Sequence, residues 1–149
     1  MPKIFPESIK DGFVADYSYF EGRGISAETC KVFEGGLKLT GIFKNRQCLI
    51  IRNSKGQIVG ITGRDTTDKK KAKWFHHGNK SQWVYNGFLS SKIIREKNEV
   101  LLVESPLDLL KLWDFGYKNV LCLFGTEISL GIVNFCLKIN PRKIIIATN

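Results

Sequence analysis

Two carboxylates in the C-terminal third of the chain are the residues best placed to do chemistry. Glu104 directly follows four apolar residues, 100–103, and Asp108 lies one helical turn further on. The apolar run indicates a buried strand, and Pro106 suits the first turn of a helix after it. A hard cation such as Mg²⁺ prefers carboxylate oxygens and usually shares them with phosphates. The alternative is that the two acids only favour the helix N-terminus and contact solvent.

The elements that would position these acids alternate between strand and helix. The pattern predicts strand 100–103, helix 106–115, strand 119–123, helix 128–137 and strand 143–148. Such alternation is typical of a parallel sheet covered by helices. Ligands of these sheets bind at the carboxyl ends of the strands, which is where Glu104 lies. We therefore expect an acidic ligand site at that edge.

The N-terminal part of the chain follows a different pattern. Short helices are predicted at 17–22 and 27–33, strands at 48–52, 57–62, 74–75 and 83–85, and a helix at 88–96. The turn Asn53–Gly56 would join the first two strands as a hairpin. The expected fold class is α/β with an α+β N-terminal part. A mixed basic subdomain, 1–97, would pack on a parallel-sheet domain, 98–149.

The net charge of +9 is concentrated in the middle of the chain. Residues 41–98 carry thirteen basic and three acidic side chains, residues 1–40 carry five and six, and residues 99–149 carry five of each. A surface that is merely solvated would mix the two signs more evenly. The excess indicates an anionic partner for the middle segment, with nucleic acid as the first candidate and nucleotide phosphates as the second.

Aromatic residues are interleaved with this positive charge. They are Trp74, Phe75, Trp83 and Tyr85, among the basic residues Arg64, Lys73 and Lys80. The pattern suits a surface that holds phosphates and stacks bases. Large rings in a small β domain are more often core residues, so we expect about two-thirds of them to be structural. The run Lys69–Lys71 is predicted to be an exposed loop.

The four cysteines lie far apart in apolar surroundings, at positions 30, 48, 122 and 136. None belongs to a Cys-x-x-Cys or Cys/His pair, so we expect reduced, buried thiols and no zinc site. The chain also lacks a signal-peptide pattern and an apolar run long enough to span a membrane. We therefore expect a soluble cytoplasmic protein with no membrane partner.

Six short motifs occur in a fixed order along nearly the whole chain. They are 19–33 (YFEGRGISAETCKVF), 46–64 (RQCLIIRNSKGQIVGITGR), 73–75 (KWF), 80–85 (KSQWVY), 104–108 (ESPLD) and 123–126 (LFGT). In this order they are similar to the motifs YLxxRGLSxETIxxF, R…IPIRDxxGxIVGFGGR, KYL, KGxxLYG, EGxxD and SLGT. The chain thus resembles the RNA polymerase core of DnaG-type primases of bacteria or phages, and residues 99–149 resemble a Toprim domain.

The resemblance implies template-directed synthesis of short RNA primers on single-stranded DNA by metal-dependent nucleotidyl transfer. It makes Glu104 a catalytic ligand of Mg²⁺ (or Mn²⁺) and Asp108 an auxiliary ligand. A basic ridge for template phosphates or the incoming triphosphate would comprise Arg64, Lys73 and Lys80, with Arg46 and Arg23 as weaker candidates. A tight loop, Gly125 and Thr126, would lie beside the site. For Arg23 a structural salt bridge is an equal alternative.

The sequence departs from the family pattern at three places. Ser105 replaces a glycine, Asn53 replaces an aspartate, and 144–149 aligns with the strand that leads into an Asp-x-Asp metal motif. Asn149 would occupy the first position of that motif, so we expect an incomplete metal site. We expect the chain to be a fragment that binds DNA and makes little or no primer alone. The implied partners are single-stranded DNA, nucleoside triphosphates and a replicative helicase, fused or separate.

Two other functions are compatible with these residues. A Toprim nuclease or a topoisomerase fragment would share the acidic site but would not need the basic β segment. A catalytically inactive module that binds single-stranded nucleic acid would need the basic segment but not the acids. Primer synthesis, DNA cleavage, or salt-sensitive binding without either product would separate the three.

Overall fold

A computed structural model describes residues 3–148 and divides them into two compact units. The first unit comprises the chain up to residue 51 and residues 58–80, and the second comprises 52–57 and the chain from residue 81 on. The division at residue 80 falls before the expected boundary at 97. The fold class is α/β with one mixed and one parallel-sheet part, as the sequence predicts.

The first unit is built on a five-stranded sheet whose strands lie side by side in chain order. The strands are β1 (Phe13–Val14), β2 (Gly36–Lys38), β3 (Arg46–Arg52), β4 (Ile58–Asp65) and β5 (Trp74–Gly78), and the helices are α1 (Ser18–Glu21) and α2 (Ala27–Val32). The pairs β1–β2, β2–β3 and β4–β5 are antiparallel. A short 3₁₀ helix, Glu7–Lys10, precedes β1.

The core of the first unit lies under the central strands. Every residue of β4, and all of β3 except Arg52, is buried. A cluster of apolar side chains forms part of this core: Phe5, Phe43, Cys48, Ile50, Ile58 and Ile61. Because residues 48–51 and 58–61 are buried without alternation, these parts of β3 and β4 contain no charged or strongly polar side chain.

The turn after β3 has the predicted form. The side-chain oxygen of Asn53 accepts hydrogen bonds from the backbone amides of Lys55 (3.0 Å) and Gln57 (2.9 Å). Gly56 has a φ of 77°, a left-handed conformation that glycine adopts without steric cost. Asn53, a departure from the family motif, therefore has a structural role in closing the turn.

The second unit holds a three-stranded parallel sheet in the order β7-β6-β8. Its elements are α3 (Gly87–Lys97), β6 (Glu99–Val103), α4 (Pro106–Asp114), β7 (Val120–Cys122), α5 (Leu130–Ile139) and β8 (Lys143–Ala147). One apolar cluster joins α3, the sheet and α5 through Ile94, Val100, Leu102, Leu121, Leu123 and Ile132. Leu109 and Leu110 of α4 are fully buried.

Two parts of the predicted secondary structure differ from the structure. Residues 83–85 are not a strand: Tyr85 forms only a single bridge with Cys122, and Trp83 and Tyr85 bury their rings. The aromatic content predicts a strand, but packing against Phe124 sets the local conformation. The strands β1 and β2 were not predicted, because two or three residues are too few to show an alternation.

Between residues 3 and 148, no helix has both the length and the apolar character needed to cross a bilayer. All four cysteines are free thiols, and three of them are buried.

Candidate functional site

Glu104 lies immediately after β6, where it is partly exposed. Its backbone oxygen accepts hydrogen bonds from the amide of Gly125 (3.1 Å) and the thiol of Cys122 (3.6 Å). The amide of Leu123 donates to the carbonyl of Val103 at 2.7 Å. The chain that follows β7 is thus fastened beside Glu104, at the carboxyl edge of the parallel sheet.

Asp108 is held at the N-terminus of α4 by Ser105. The Ser105 hydroxyl accepts a hydrogen bond from the Asp108 amide (3.2 Å) and donates one to the Asp108 carboxylate (3.0 Å). Ser105 is therefore the N-cap of the helix, and its hydroxyl also binds the carboxylate of the third helical residue. The carboxylate is exposed to solvent and turned towards the residue that precedes the helix. Ser105 therefore orients the second predicted metal ligand.

In the loop after β7, Phe124 has a strained backbone conformation, and Gly125 and Thr126 are not tightly packed. Phe124 has a φ of 57°, and its ring packs against Trp83 (centroids 5.2 Å apart) and Tyr85 (5.6 Å). A left-handed conformation is costly for a bulky residue and persists only where packing enforces it. Gly125 follows with a φ of 154°, and Thr126 is exposed. The aromatic pair thus fixes the loop that contacts Glu104.

The donor atoms of Glu104 and Asp108 fit a magnesium ion in their chemistry. Glu104 and Asp108 supply carboxylate oxygens, and Mg²⁺ often binds one or two carboxylates together with water and substrate phosphates. The described part of the chain contains no group of three His, Cys, Asp or Glu residues that could hold a metal. Asn149, the predicted third position, lies outside the described residues.

Arg46 makes contacts inside the first unit rather than facing solvent. Its side chain is buried and donates to the carbonyls of Gly63 (2.9 Å), Ala72 (2.9 Å) and Lys73 (3.1 Å). The guanidinium lies 5.7 Å from the ring centre of Phe75. Three carbonyls and a ring occupy the group, so phosphate binding by Arg46 is not what this geometry favours.

Arg64 and Arg23 share one aromatic ring. The guanidinium of Arg64 lies 5.4 Å from the centre of the Tyr19 ring and that of Arg23 lies 5.0 Å from it. Arg64 is buried, donates to the Asp65 carbonyl (3.0 Å) and pairs with Asp68 at 3.6 Å. Arg23 is exposed and donates to the Tyr19 hydroxyl at 2.8 Å. Of the two, only Arg23 presents its charge to solvent.

Lys73 and Lys80 are both exposed. Lys73 precedes β5, and its carbonyl accepts from the amide of Asp65 at 2.8 Å. Two residues on, Phe75 is 37% exposed and contacts Phe43 edge to face (5.2 Å). An exposed lysine beside an accessible ring is compatible with the predicted role in holding nucleic acid.

Asp65 is the residue of this region that the sequence did not identify. Its carboxylate is buried and accepts from the amides of Thr67 (3.0 Å) and Lys70 (2.9 Å) and from the Thr67 hydroxyl (2.7 Å). Burial alone would raise the pKa of Asp65, but these hydrogen bonds, with the charge of Arg46, lower it to about 2. The order Asp-x-Thr after a strand is a signal for such a side-chain turn.

His76 is a second group in the first unit whose pKa is strongly changed. Its Nδ1 lies 2.7 Å from the hydroxyl of Thr62, its cross-strand neighbour. Partial burial, with the charges of Lys80 and Arg46, lowers the pKa of His76 to about 4. The imidazole is therefore neutral near pH 7 and stabilises the β4–β5 pair as a hydrogen-bonding partner.

A cavity of about 330 Å³ lies in the first unit. It is lined by Asp16, Ser18, Tyr19, Leu37, Gln47 and Thr66. Hydrogen bonds from the hydroxyl and amide of Ser18 lower the pKa of Asp16. The acidic wall makes this cavity a poor phosphate site, and none of the predicted site residues lines it.

The relatives that are similar in sequence and the solved structures that are similar in fold are both primases. No protein-family model matches the chain. It is 30% identical to the DNA primase of Staphylococcus epidermidis over an alignment 149 residues long. This alignment covers 88% of the chain and 24% of the primase. The chain therefore spans about a quarter of the length of the curated relative.

Solved structures show the same fold. The zinc-binding and RNA polymerase domains of the Aquifex aeolicus primase match with a TM-score of 0.85 at 19% identity, covering 96% of this chain and 46% of that one. A DnaG primase catalytic domain bound to single-stranded DNA matches with a TM-score of 0.79 at 17% identity, covering 94% and 58%. The fold is that of primase catalytic cores. The chain corresponds, in sequence and in fold, to part of a DnaG-type primase core.

Proposed function

We propose that this chain is the part of a DNA primase that binds the single-stranded template and supplies two carboxylates of the catalytic site. The observation that carries the proposal is the position of Glu104 at the carboxyl edge of β6, hydrogen-bonded through its backbone to Gly125. Within a primase-like fold, this edge is where a ligand of a parallel sheet binds. The relation to primases favours this function over a Toprim nuclease or an inactive binding module.

The reaction would be the joining of nucleotides into a short RNA primer. When bound, Mg²⁺ or Mn²⁺ would neutralise the charge that develops on the transferred phosphoryl group. Glu104 would hold the ion directly or through water, and Asp108 would act as an auxiliary ligand, oriented by Ser105. Gly125 carries no side chain, which leaves room for a phosphate beside Glu104.

The template would be held by exposed cations of the first unit. We assign this role to Lys73, Lys80 and Arg23, whose side chains are exposed. Arg46 and Arg64 would support this surface from within, because carbonyls, an aspartate and aromatic rings occupy their guanidinium groups. Nucleoside triphosphates are the proposed second substrate, and a replicative helicase, fused or separate, is the proposed partner.

The proposal is tested with a polypeptide of the relatives' full length that carries this sequence. Single-stranded DNA, nucleoside triphosphates and Mg²⁺ or Mn²⁺ should yield short oligoribonucleotides. Glu104→Gln should reduce the yield at least about a hundredfold, because it removes a charge that holds the metal. Glu127→Gln, a change of an exposed acid in the loop after β7, is the matched control and should retain synthesis. DNA cleavage in place of synthesis would overturn the proposal.

A further inference from the structure

The segment that joins β4 to β5 carries the highest density of positive charge in the chain. Residues 69–73 include Lys69, Lys70, Lys71 and Lys73. Lys69, Lys71 and Lys73 are exposed, and their ammonium groups make no hydrogen bond or ion pair with any of residues 3–148. The three lysines of the run 69–71 are not among the residues to which the proposed function gives a role.

The segment is held at its start by Asp65. The carboxylate of Asp65 accepts hydrogen bonds from the amides of Thr67 and Lys70 and from the hydroxyl of Thr67. Thr66 adds two hydrogen bonds to the carbonyl of Asn45, from its amide (3.1 Å) and its hydroxyl (2.8 Å). The backbone that leads into the lysine run is therefore fixed by internal contacts rather than left free.

The segment is also held at its middle and end. The ammonium group of Lys70 donates to the carbonyl of Lys44 at 2.5 Å, and Arg46 donates to the carbonyls of Ala72 and Lys73. Lys70 thus has a structural role. Its two neighbours, Lys69 and Lys71, extend into solvent from a fixed backbone, so little conformational entropy of the loop is lost when they bind a ligand.

Neither of the two acids near the segment forms an ion pair with Lys69 or Lys71 within residues 3–148. Asp65 is buried against backbone amides, and Asp68 pairs with Arg64 at 3.6 Å. The charges of Lys69 and Lys71 therefore remain available to an external anion.

We propose that Lys69 and Lys71, presented by the loop that Asp65 organises, bind backbone phosphates of the single-stranded DNA template. This inference rests on the proposed function and adds a second set of contacts to Lys73 and Lys80. A single strand is favoured over duplex DNA because Phe75, close by in the sequence and 37% exposed, offers a ring on which an unpaired base can stack.

The first test measures the salt dependence of binding. The probe is a labelled single-stranded oligothymidylate, titrated with the full chain between 50 and 200 mM salt and followed by fluorescence anisotropy. The slope of log K against log salt is negative, and the double variant Lys69→Gln/Lys71→Gln should reduce its magnitude by about 1.4, since each phosphate contact on a single strand contributes about 0.7. Lys92→Gln/Lys97→Gln removes the same charge from exposed positions of α3 and should leave the slope unchanged.

The second test separates positioning from charge. Asp65→Asn makes the protein more positive, so a charge effect alone would tighten DNA binding. Because Asp65 orders the loop, we expect Asp65→Asn to weaken binding about threefold or more instead. Asp68→Asn adds the same charge without releasing the backbone amides of Thr67 and Lys70, and it should bind at least as tightly as the wild type.

The outcomes distinguish this inference from the proposed function. An unchanged slope in Lys69→Gln/Lys71→Gln, together with a lower slope in Lys73→Gln/Lys80→Gln, would overturn the role of the lysine loop and leave the proposed function intact. No binding of single-stranded DNA by the wild type would overturn both. A loss that occurs with a hairpin duplex probe but not with the single strand would overturn the assignment to the template strand.

Discussion

The hydroxyl of Ser105 donates a hydrogen bond to the carboxylate of Asp108 at 3.0 Å and accepts one from the Asp108 amide at 3.2 Å. Ser105 lies between β6 and α4, one residue after Glu104, and Asp108 is the third residue of α4. The family motif has glycine at this position, which could not make either bond. In this chain the orientation of the second acid is therefore set by a side chain that replaces a glycine.

Removal of the Ser105 hydroxyl should destabilise the protein by a small and specific amount. We expect Ser105→Ala to lower the free energy of unfolding by about 1 kcal/mol, and Ser105→Gly by only about 0.3 kcal/mol, because glycine is tolerated at this position of a helix. Urea denaturation measures both. Ser129→Ala removes the cap of α5, where no carboxylate reciprocates, and is the matched control.

The same variants report on Asp108. In a double-mutant cycle with Asp108→Ala, the pair should show a coupling energy of about 0.5–1 kcal/mol. Additive effects would show that the hydroxyl caps the helix without orienting the acid.

Arg46 should contribute to stability rather than to DNA binding. Arg46→Met leaves the carbonyls of Gly63, Ala72 and Lys73 without their donor, and we expect a loss of about 3 kcal/mol in the free energy of unfolding. Urea denaturation of the full chain is the measurement. Arg23→Met, an exposed position, should cost less than about 0.5 kcal/mol and should weaken DNA binding instead.

If Arg46 bound a DNA phosphate instead, its variant would behave differently. A variant with unchanged stability but a lower salt slope for single-stranded DNA would mean that the guanidinium contacts phosphate. In that case the hydrogen bonds to the three carbonyls would not describe its main role.

The parts of the fold and site that the sequence predicted depend on short-range signals. The position of Glu104 followed from an apolar run, a proline and helical spacing, all within fourteen residues of one another. The turn Asn53–Gly56 is equally local, and it is confirmed.

What the sequence did not predict depends on partners far along the chain. The carbonyls that bind Arg46 belong to residues 17, 26 and 27 positions away, and a backbone carbonyl has no sequence signature. Arg46, a basic residue inside a matching motif, therefore resembles a phosphate ligand in the sequence, although its side chain is buried. The strand predicted at Trp83 is absent from the structure for a similar reason: its packing against Phe124 is a long-range contact that the local sequence does not show.

His76 should make stability depend on pH below neutrality. Its pKa is about 4 in the folded protein, against about 6.5 in an unfolded chain. Protonation therefore favours the unfolded state. The contribution of His76 is fully present above pH 6.5 and is lost as the pH falls towards 4.

The expected loss between pH 7 and pH 5 is about 1 kcal/mol, because the ring is only partly buried and solvent screens the neighbouring charges. Urea denaturation at the two pH values should show a smaller change in His76→Gln than in the wild type. His77→Gln removes the neighbouring imidazole of β5 and serves as the control. Equal pH dependence in His76→Gln and the wild type would assign the effect to other groups.

Cys136 should be the first thiol to react with a reagent such as a disulfide of nitrobenzoate. It is the only one of the four cysteines that is not buried within residues 3–148, whereas Cys30, Cys48 and Cys122 are at most 1% exposed. Burial raises the pKa of both Cys136 and Cys48, and raises that of Cys48 to about 12, so reagent access and thiolate content both disfavour Cys48. In the native protein we expect one thiol to react slowly and three to react only on unfolding in urea. Cys136→Ser should abolish the native-state reaction and leave the other three thiols unchanged. Rapid labelling of that variant without denaturant would mean that a buried helix or strand opens far more readily than its packing indicates.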